Sequence, residues 1–336
     1  MITVENLTKS YLGRTGTVTA LDDITLDVPE GTLCGVVGPV GAGKSTLARL
    51  VGLQERPDRG AIRVGGTNLM ALAASQLRGV RRQIGVLPAT STLLAQRTVA
   101  GNIAMPLEQA GVDGPQRRAR VAELLDLAGL TDRAGDLPGT LSTGQRQRVG
   151  VARTLATGPA VLVADEPTDG LDAQDAAGVL TVLDRVRAEL GTTVVLATKD
   201  SGVVRRLCDD VAVLDGGRLV ERGSILDLIA DPDSWTASAI LPAVPEAPRL
   251  AGHDQVANLV LIGFATVGAL LPEAASRFGV QINVLGGGIT RLGDTPVARF
   301  QVGVTGERAC GSLSWVAEQG AVVHRVPCGP QGVVAA

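Results

Sequence analysis

Gly38-Pro39-Val40-Gly41-Ala42-Gly43-Lys44-Ser45-Thr46 sets three glycines, a lysine and two hydroxyls in nine consecutive positions. An apolar run at residues 33–37 precedes this stretch and a helical pattern at residues 45–53 follows it. Strand, glycine turn and helix in that order make a P-loop: the turn aims successive N–H groups inward, and the helix N-terminus offers unpaired amides to a nucleotide phosphate. Lys44 is placed to reach the β- and γ-phosphates and Ser45 to ligate Mg²⁺. The chain is basic almost entirely through Arg, its only lysines being Lys9, Lys44 and Lys199. A rare residue type at the motif's key position argues against coincidence.

A second stretch carries acids. Residues 161–164 form an apolar strand that ends in Asp165-Glu166. Such a strand can bring Asp165 to the Mg²⁺ beside Ser45 and Glu166 to the water that attacks the γ-phosphorus. Between the two stretches, Leu141-Ser142-Thr143-Gly144-Gln145 opens a helix bearing Arg146, Arg148 and Arg153, with Ser142 in N-cap position. Read locally, the pentapeptide is only a cap; its place between two phosphate motifs gives it a functional reading. Asp169-Gly170-Leu171-Asp172 follows as a turn. Tyr11, the single tyrosine, reads either as a half-buried strand-end residue or as a platform for a purine ring.

The elements that must position these residues are strands at 2–7, 24–28, 33–37, 63–64, 83–87, 161–165 and 193–197, and a hairpin at 211–214 and 218–220. A helical insertion occupies 98–150, where Val121, Leu124, Leu125 and Ala128 share a face, and an amphipathic helix 179–190. Residues 234–252, with Pro242, Pro245 and Pro248, read as a linker. Beyond it the order is strand 257–262, helix 267–278, strand 280–285, strand 297–304, helix 307–319 and strand 321–326. Val267, Leu270, Leu271, Ala274, Ala275 and Phe278 share one side of the first of these helices. That β-α-β-β-α-β order is the split βαβ sandwich. The predicted fold is an α/β P-loop NTPase domain with a helical subdomain at 1–233, the linker at 234–252, and an α+β ferredoxin-like domain at 253–336.

Composition narrows the function classes. A formal charge of −3 leaves no nucleic-acid footprint, and 2 % aromatics argue against a stacking surface for a nucleic-acid strand. The first residues lack the basic-then-apolar order of a signal peptide, so a cytoplasmic location is expected. The longest apolar stretch, 256–271, is interrupted by Asn258 and Thr266 and falls short of a membrane helix. Cys34, Cys208, Cys310 and Cys328 have no metal-ligand spacing and read as reduced structural thiols, and His253 and His324 as unaccompanied structural residues.

On these residues the chain resembles ABC-transporter ATPases, and more closely the ATPase subunit of bacterial methionine importers with a C-terminal NIL domain. Residues 82–87, Leu93-Leu94, Arg97-Thr98-Val99, Gly101-Asn102 and Pro106-Leu107-Glu108 look like the methionine-importer pattern, as does Phe278-Gly279-Val280 with Asn283. The resemblance implies that Tyr11 stacks on adenine, that Gly38 to Thr46 is the Walker A loop, that Asp165 is the Walker B carboxylate and Glu166 the catalytic base. It makes Leu141 to Gln145 the signature and Asp172 part of the D-loop. It implies a head-to-tail homodimer in which Ser142, Gly144 and Gln145 of one subunit meet the γ-phosphate held by Lys44 of the other. By the same resemblance, closure of that pair on ATP would move two integral-membrane permease subunits, served by an extracytoplasmic substrate-binding protein, at the cytoplasmic face of the membrane. The resemblance also implies that an amino acid binds the tail near Asn283 as feedback.

Three departures qualify the expectation. Ala89 stands where the family has its Q-loop glutamine, with Gln96 seven positions late; Lys199 stands at the switch-histidine position; and Thr143 replaces a signature glycine. Ala89 cannot ligate Mg²⁺ or orient water, and Lys199 is a point cation rather than a neutral imidazole. The residues thus support an importer ATPase with slowed turnover, or alternatively an ATP-binding regulatory subunit impaired in hydrolysis. The tail reads as an amino-acid sensor or as a dimerisation module.

Overall fold

The computed structural model describes residues 1–13, 16–245, 252–263 and 269–326. Pro248, Thr266, Val267 and Cys328, named above, lie outside them. The chain divides into two compact units, Met1–Ser224 and Ile225–Ala336.

The first unit runs β1 (Ile2–Gly13), β2 (Gly16–Val28), β3 (Leu33–Val37), α1 (Lys44–Val51), β4 (Arg59–Val64), β5 (Thr67–Asn68), α2 (Ala74–Arg81) and β6 (Ile84–Leu87). It continues with α3 (Val99–Gln109), α4 (Gly114–Leu127), α5 (Thr143–Thr154), β7 (Val161–Asp165), α6 (Ala173–Leu190), β8 (Thr193–Ala197), α7 (Ser201–Leu207), β9 (Asp210–Asp215) and β10 (Arg218–Ser224). An antiparallel sheet has the order β2-β1-β4-β5, and a six-stranded sheet the order β10-β9-β3-β8-β7-β6. In the larger sheet β9, β3, β8, β7 and β6 are parallel and β10 closes one edge antiparallel. Every residue of β3 and β8 is buried, as strands covered on both faces require.

The strand order matters more than the strands themselves. It sets the carboxyl ends of β3, β8 and β7 side by side, with Ala197 paired to Val36 on one side and Asp165 on the other. Ligands of open parallel sheets bind outside those carboxyl ends. Leu47, Leu50 and Val51 of α1 pack into one core with Ile2, Val4, Val36 and Val163, which fixes the helix above that edge. Strands β1 and β2 run 12 and 13 residues, well past the expected 2–7 and 24–28, because their alternating polar residues pair as an exposed hairpin beyond the core. Burial pushes the Cys34 thiol up to about 12 and raises Cys208 as well, so both are inert at neutral pH.

The helices α3, α4 and α5 form the expected insertion, each begun by a side-chain cap from Thr98, Asp113 and Ser142. Asn102 on α3 is fully buried. Its Oδ1 accepts from the Leu94 N–H at 2.8 Å, and its Nδ2 donates to the Leu94, Arg97 and Thr98 carbonyls at 3.1, 3.0 and 3.0 Å. The loop before α3 is therefore wound around one amide.

The second unit comprises α8 (Ile225–Leu228), α9 (Trp235–Ile240), β11 (Gln255–Ile262), α10 (Leu270–Phe278), β12 (Gln281–Leu292), β13 (Thr295–Thr305), α11 (Ala309–Glu318) and β14 (Val322–Arg325). Its sheet is antiparallel in the order β12-β13-β11-β14, the split βαβ arrangement. Ala274, Leu313 and Val316 pack from the helices onto Leu259, Leu261, Val302 and Val304. Two details differ from the sequence reading. The strand expected at 280–285 continues to Leu292, passing the glycines by a bulge between Val284 and Gly286. The stretch read as linker contains α9, capped by Ser234 and burying Thr236, Ala237 and Ile240. No helix among the described residues is long and apolar enough to cross a membrane.

Asn102→Ala removes the partner of one buried N–H and loosens three carbonyls, and is expected to destabilise the first unit by roughly 2–4 kcal/mol. Urea unfolding followed by hydrogen exchange on α3 checks this; unchanged protection there would show that solvent replaces the amide.

Candidate active site

The P-loop begins where β3 ends. Ala42 N–H donates to the Pro39 carbonyl at 3.2 Å, closing the turn. Gly43 has φ of 102°, and a Cβ there would lie 2.5 Å from the Ala20 carbonyl oxygen, so only glycine fits. No side chain caps α1, and its first turn holds no acid. Its leading N–H groups and the positive end of its dipole are left for an anion. Lys44 is 6 % exposed, and its Nζ donates to the Gly38 and Pro39 carbonyls at 2.8 and 2.9 Å. The ammonium is thus held inside the loop by neutral acceptors alone.

Ser45 Oγ donates to Asp165 Oδ1 at 2.9 Å, joining α1 to the end of β7. A hydroxyl and a carboxylate in contact are hard oxygen donors of the kind that suit Mg²⁺. Glu166 follows in the left-handed region, φ 47°, and its N–H donates to the Ala197 carbonyl at 2.8 Å. Its Oε2 accepts from the Lys199 N–H at 3.3 Å. The Lys199 ammonium lies 2.6 Å from Asp169 Oδ1, both side chains being about half exposed. That hydrogen bond, with the charge of Asp169, holds Lys199 above the usual lysine range. An open cleft of about 270 Å³ is lined by Ala20, Val40, Gly41, Gly43, Lys44, Ser45, Thr46, Glu166 and Lys199. Sequence elements more than 150 positions apart therefore meet around one space (199 − 44 = 155).

Tyr11 on β1 does not line this cleft. Its hydroxyl donates to Glu55 and accepts from Arg49 of α1, and the Lys9 ammonium sits 5.4 Å from its ring centroid. Ser142, Gly144, Gln145 and Asp172 do not line it either and form a second cluster. Ser142 Oγ accepts from the Gln145 N–H at 3.1 Å while Gln145 Oε1 accepts from the Ser142 N–H at 2.8 Å, a capping box. Asp172 caps α6 by accepting from the Asp175 N–H at 2.8 Å. Asp175 in turn accepts from Ser142 Oγ at 3.0 Å and from the Gly144 N–H at 2.9 Å.

The sequence shows Asp169 only as a turn residue and carries no site signal for Asp175 or Gln147. Gln147, 2 % exposed, accepts from the Ser91 N–H and donates to the Pro88 carbonyl, both at 2.9 Å, so α5 grips the loop that carries Ala89. Only its inward position was legible: Gln147 lies four residues before Val151 on the inward face of α5. Ala89 and Gln96 stand outside the cleft. In the second unit Asn283 is exposed on β12 opposite Gly303. By strand alternation it shares a sheet face with Arg299 and Gln301, which line a cavity of about 390 Å³ with Ser238, Ala243, Val244, Pro245, Asn258 and Val326.

Residues 21–169 match the model of the ABC transporter family, and residues 255–325 match the NIL domain. The chain is 44 % identical to Methionine import ATP-binding protein MetN of Thermobifida fusca over 97 % of its own length and all of that protein. It is 40 % identical to the MetN protein of Symbiobacterium thermophilum over 98 % of its length and all of that protein. Among solved structures, the dimeric post-hydrolysis state of the ATP-binding cassette MJ0796 bound to ADP and Pi superposes with a TM-score of 0.61 at 31 % identity, covering 67 % of this chain and 98 % of that one. The structure of cbiO1 from Clostridium perfringens, part of the cbiONQ transporter complex, gives 0.63 at 28 % identity, covering 68 % and 90 %. By identity that extends through both units, and by a P-loop, acid pair and capped signature helix in the positions described, the chain belongs to the ABC-transporter family of methionine import ATP-binding proteins.

Proposed function

We propose that this chain is the ATP-hydrolysing subunit of an importer for methionine or a closely related amino acid. The observation that carries the proposal is the single cleft in which Lys44, Ser45, Glu166 and Lys199 meet above the ends of β3, β8 and β7. ATP phosphates take the uncapped N-terminus of α1, and Lys44 exchanges two neutral carbonyls for phosphate oxygens. Ser45 and Asp165 would hold Mg²⁺, which would supply positive charge against the phosphates. Glu166, kept in place by its strained backbone and by the Lys199 N–H, takes the proton of the attacking water. Tyr11 lies against adenine. Ser142, Gly144 and Gln145 of a second copy complete the site, with Asp172 beside them, in a homodimer that drives two permease subunits at the cytoplasmic face of the membrane. An extracytoplasmic binding protein delivers the amino acid.

A hydrolysis-impaired regulatory subunit finds no support in the relatives, which are import ATP-binding proteins, and Glu166 and Asp165 are both in place. The second unit acts as the sensor of internal amino acid through the sheet face that carries Asn283.

Lys44→Ala is expected to abolish binding of a fluorescent ATP analogue, whereas Glu166→Gln keeps binding and lowers phosphate release about 100-fold or more. Equal binding by Lys44→Ala would remove the basis of the proposal. For the departures, Ala89→Gln with Lys199→His is expected to raise phosphate release by about tenfold, since positioning groups commonly contribute that much or more. No gain would mean that the Lys199–Asp169 pair already serves. For the second unit, calorimetric titration of the full chain with methionine should show binding that weakens at least about tenfold in Asn283→Ala. A ligand-silent protein would leave the unit only a structural role.

A further inference from the structure

The N-terminus of α5 already holds an anion. Asp175 accepts from Ser142 Oγ through Oδ1 and from the Gly144 N–H through Oδ2. These are two of the groups that the proposed dimer turns toward the γ-phosphate of the second copy. The contact is built in rather than incidental: a Cβ at position 144 would lie 2.4 Å from both the Cβ and the Cγ of Asp175, so only glycine lets the two helices come this close. Asp175 forms no ion pair among the described residues, and its charge is balanced by the two donors and by the nearby field of Arg148. Arg148 itself donates to the Ala128 and Gly129 carbonyls.

We propose that Asp175 is an in-cis placeholder for the γ-phosphate, occupying Ser142 Oγ and the Gly144 N–H until nucleotide on the second copy displaces it. This rests on the reading that the signature residues contact phosphate across a dimer. A carboxylate and a phosphate oxygen cannot share one pair of donors, because like charges at such a separation repel by an amount comparable with the hydrogen bonds gained. Displacement has a mechanical route. Asp175 is the third residue of α6, and its N–H is tied at 2.8 Å to the Asp172 carboxylate at the head of that helix. A shift of the turn 169–172 therefore withdraws the Asp175 carboxylate together with the helix end. In the meantime the placeholder keeps the Ser142 hydroxyl and the Gly144 amide oriented for an anion.

The test compares phosphate release against ATP concentration for full-length wild type, Asp175→Asn and Ser142→Ala. Asn keeps the shape and one acceptor oxygen while removing the charge, so the KM for ATP is expected to fall about five- to tenfold, with a smaller change in kcat. A residue that only joins two helices predicts an unchanged or raised KM, and that result overturns the placeholder. Should Asp175→Asn fail to fold, as judged by the thermal transition of the nucleotide-free protein, Asp175→Thr supplies an uncharged acceptor of smaller size for the same comparison. Ser142→Ala separates the two levels of inference. If it leaves KM and kcat untouched, the dimer reading falls and the placeholder with it. If it impairs turnover while Asp175→Asn does not lower KM, the placeholder alone falls.

Discussion

An uncapped helix start beside a buried ammonium is the constraint on which the rest of the first unit depends. Helix α1 begins with open N–H groups, and Lys44 is withdrawn from solvent with only two carbonyls for company. Both features cost stability, since orphan donors and a desolvated cation are each unfavourable. The cost is supportable because α1 is clamped by the core beneath it, through Leu47, Leu50 and Val51. The parallel sheet then brings Asp165 to the helix from the end of β7, with Glu166 just beyond it, so that both acids arrive at the edge where the helix N-terminus stands open.

The departures in the sequence look different once their surroundings are known. Lys199, read alone, adds an unbalanced cation to a phosphate site. In the structure it has a counter-ion four positions C-terminal to Asp165, and its backbone rather than its side chain steadies Glu166. A half-exposed pair of this kind contributes little to stability. Its effect is on position, because the ammonium is held at the turn that leads into α6.

Legibility in the sequence tracked the range of the interaction. The P-loop, the acid pair and the β-α-β-β-α-β order of the second unit were readable because each is a local pattern of spacing and burial. The strand order was not, since nothing near Leu33 says that its neighbours are residues 193–197 and 210–215. Asp175 and Gln147 were overlooked for the same reason: each acts on a partner more than 30 positions away (175 − 142 = 33; 147 − 91 = 56). Helix α9 was hidden by the prolines that follow it, and the length of β12 by a glycine run that the bulge absorbs without breaking the ladder. Tyr11 was legible as a residue of interest, but its engagement depends on the side chains of Arg49 on α1 and Glu55 just beyond it reaching the Tyr11 hydroxyl.

The left-handed backbone at Glu166 sets stability against chemistry at a single position. An L-residue held at φ 47° costs on the order of 1 kcal/mol that glycine would not incur. Glycine there would relieve the backbone strain and, in the mechanism proposed above, leave no group to accept the water's proton. If Glu166 is the base, selection for turnover keeps an L-residue in the left-handed region at position 166, and selection for backbone ease alone does not.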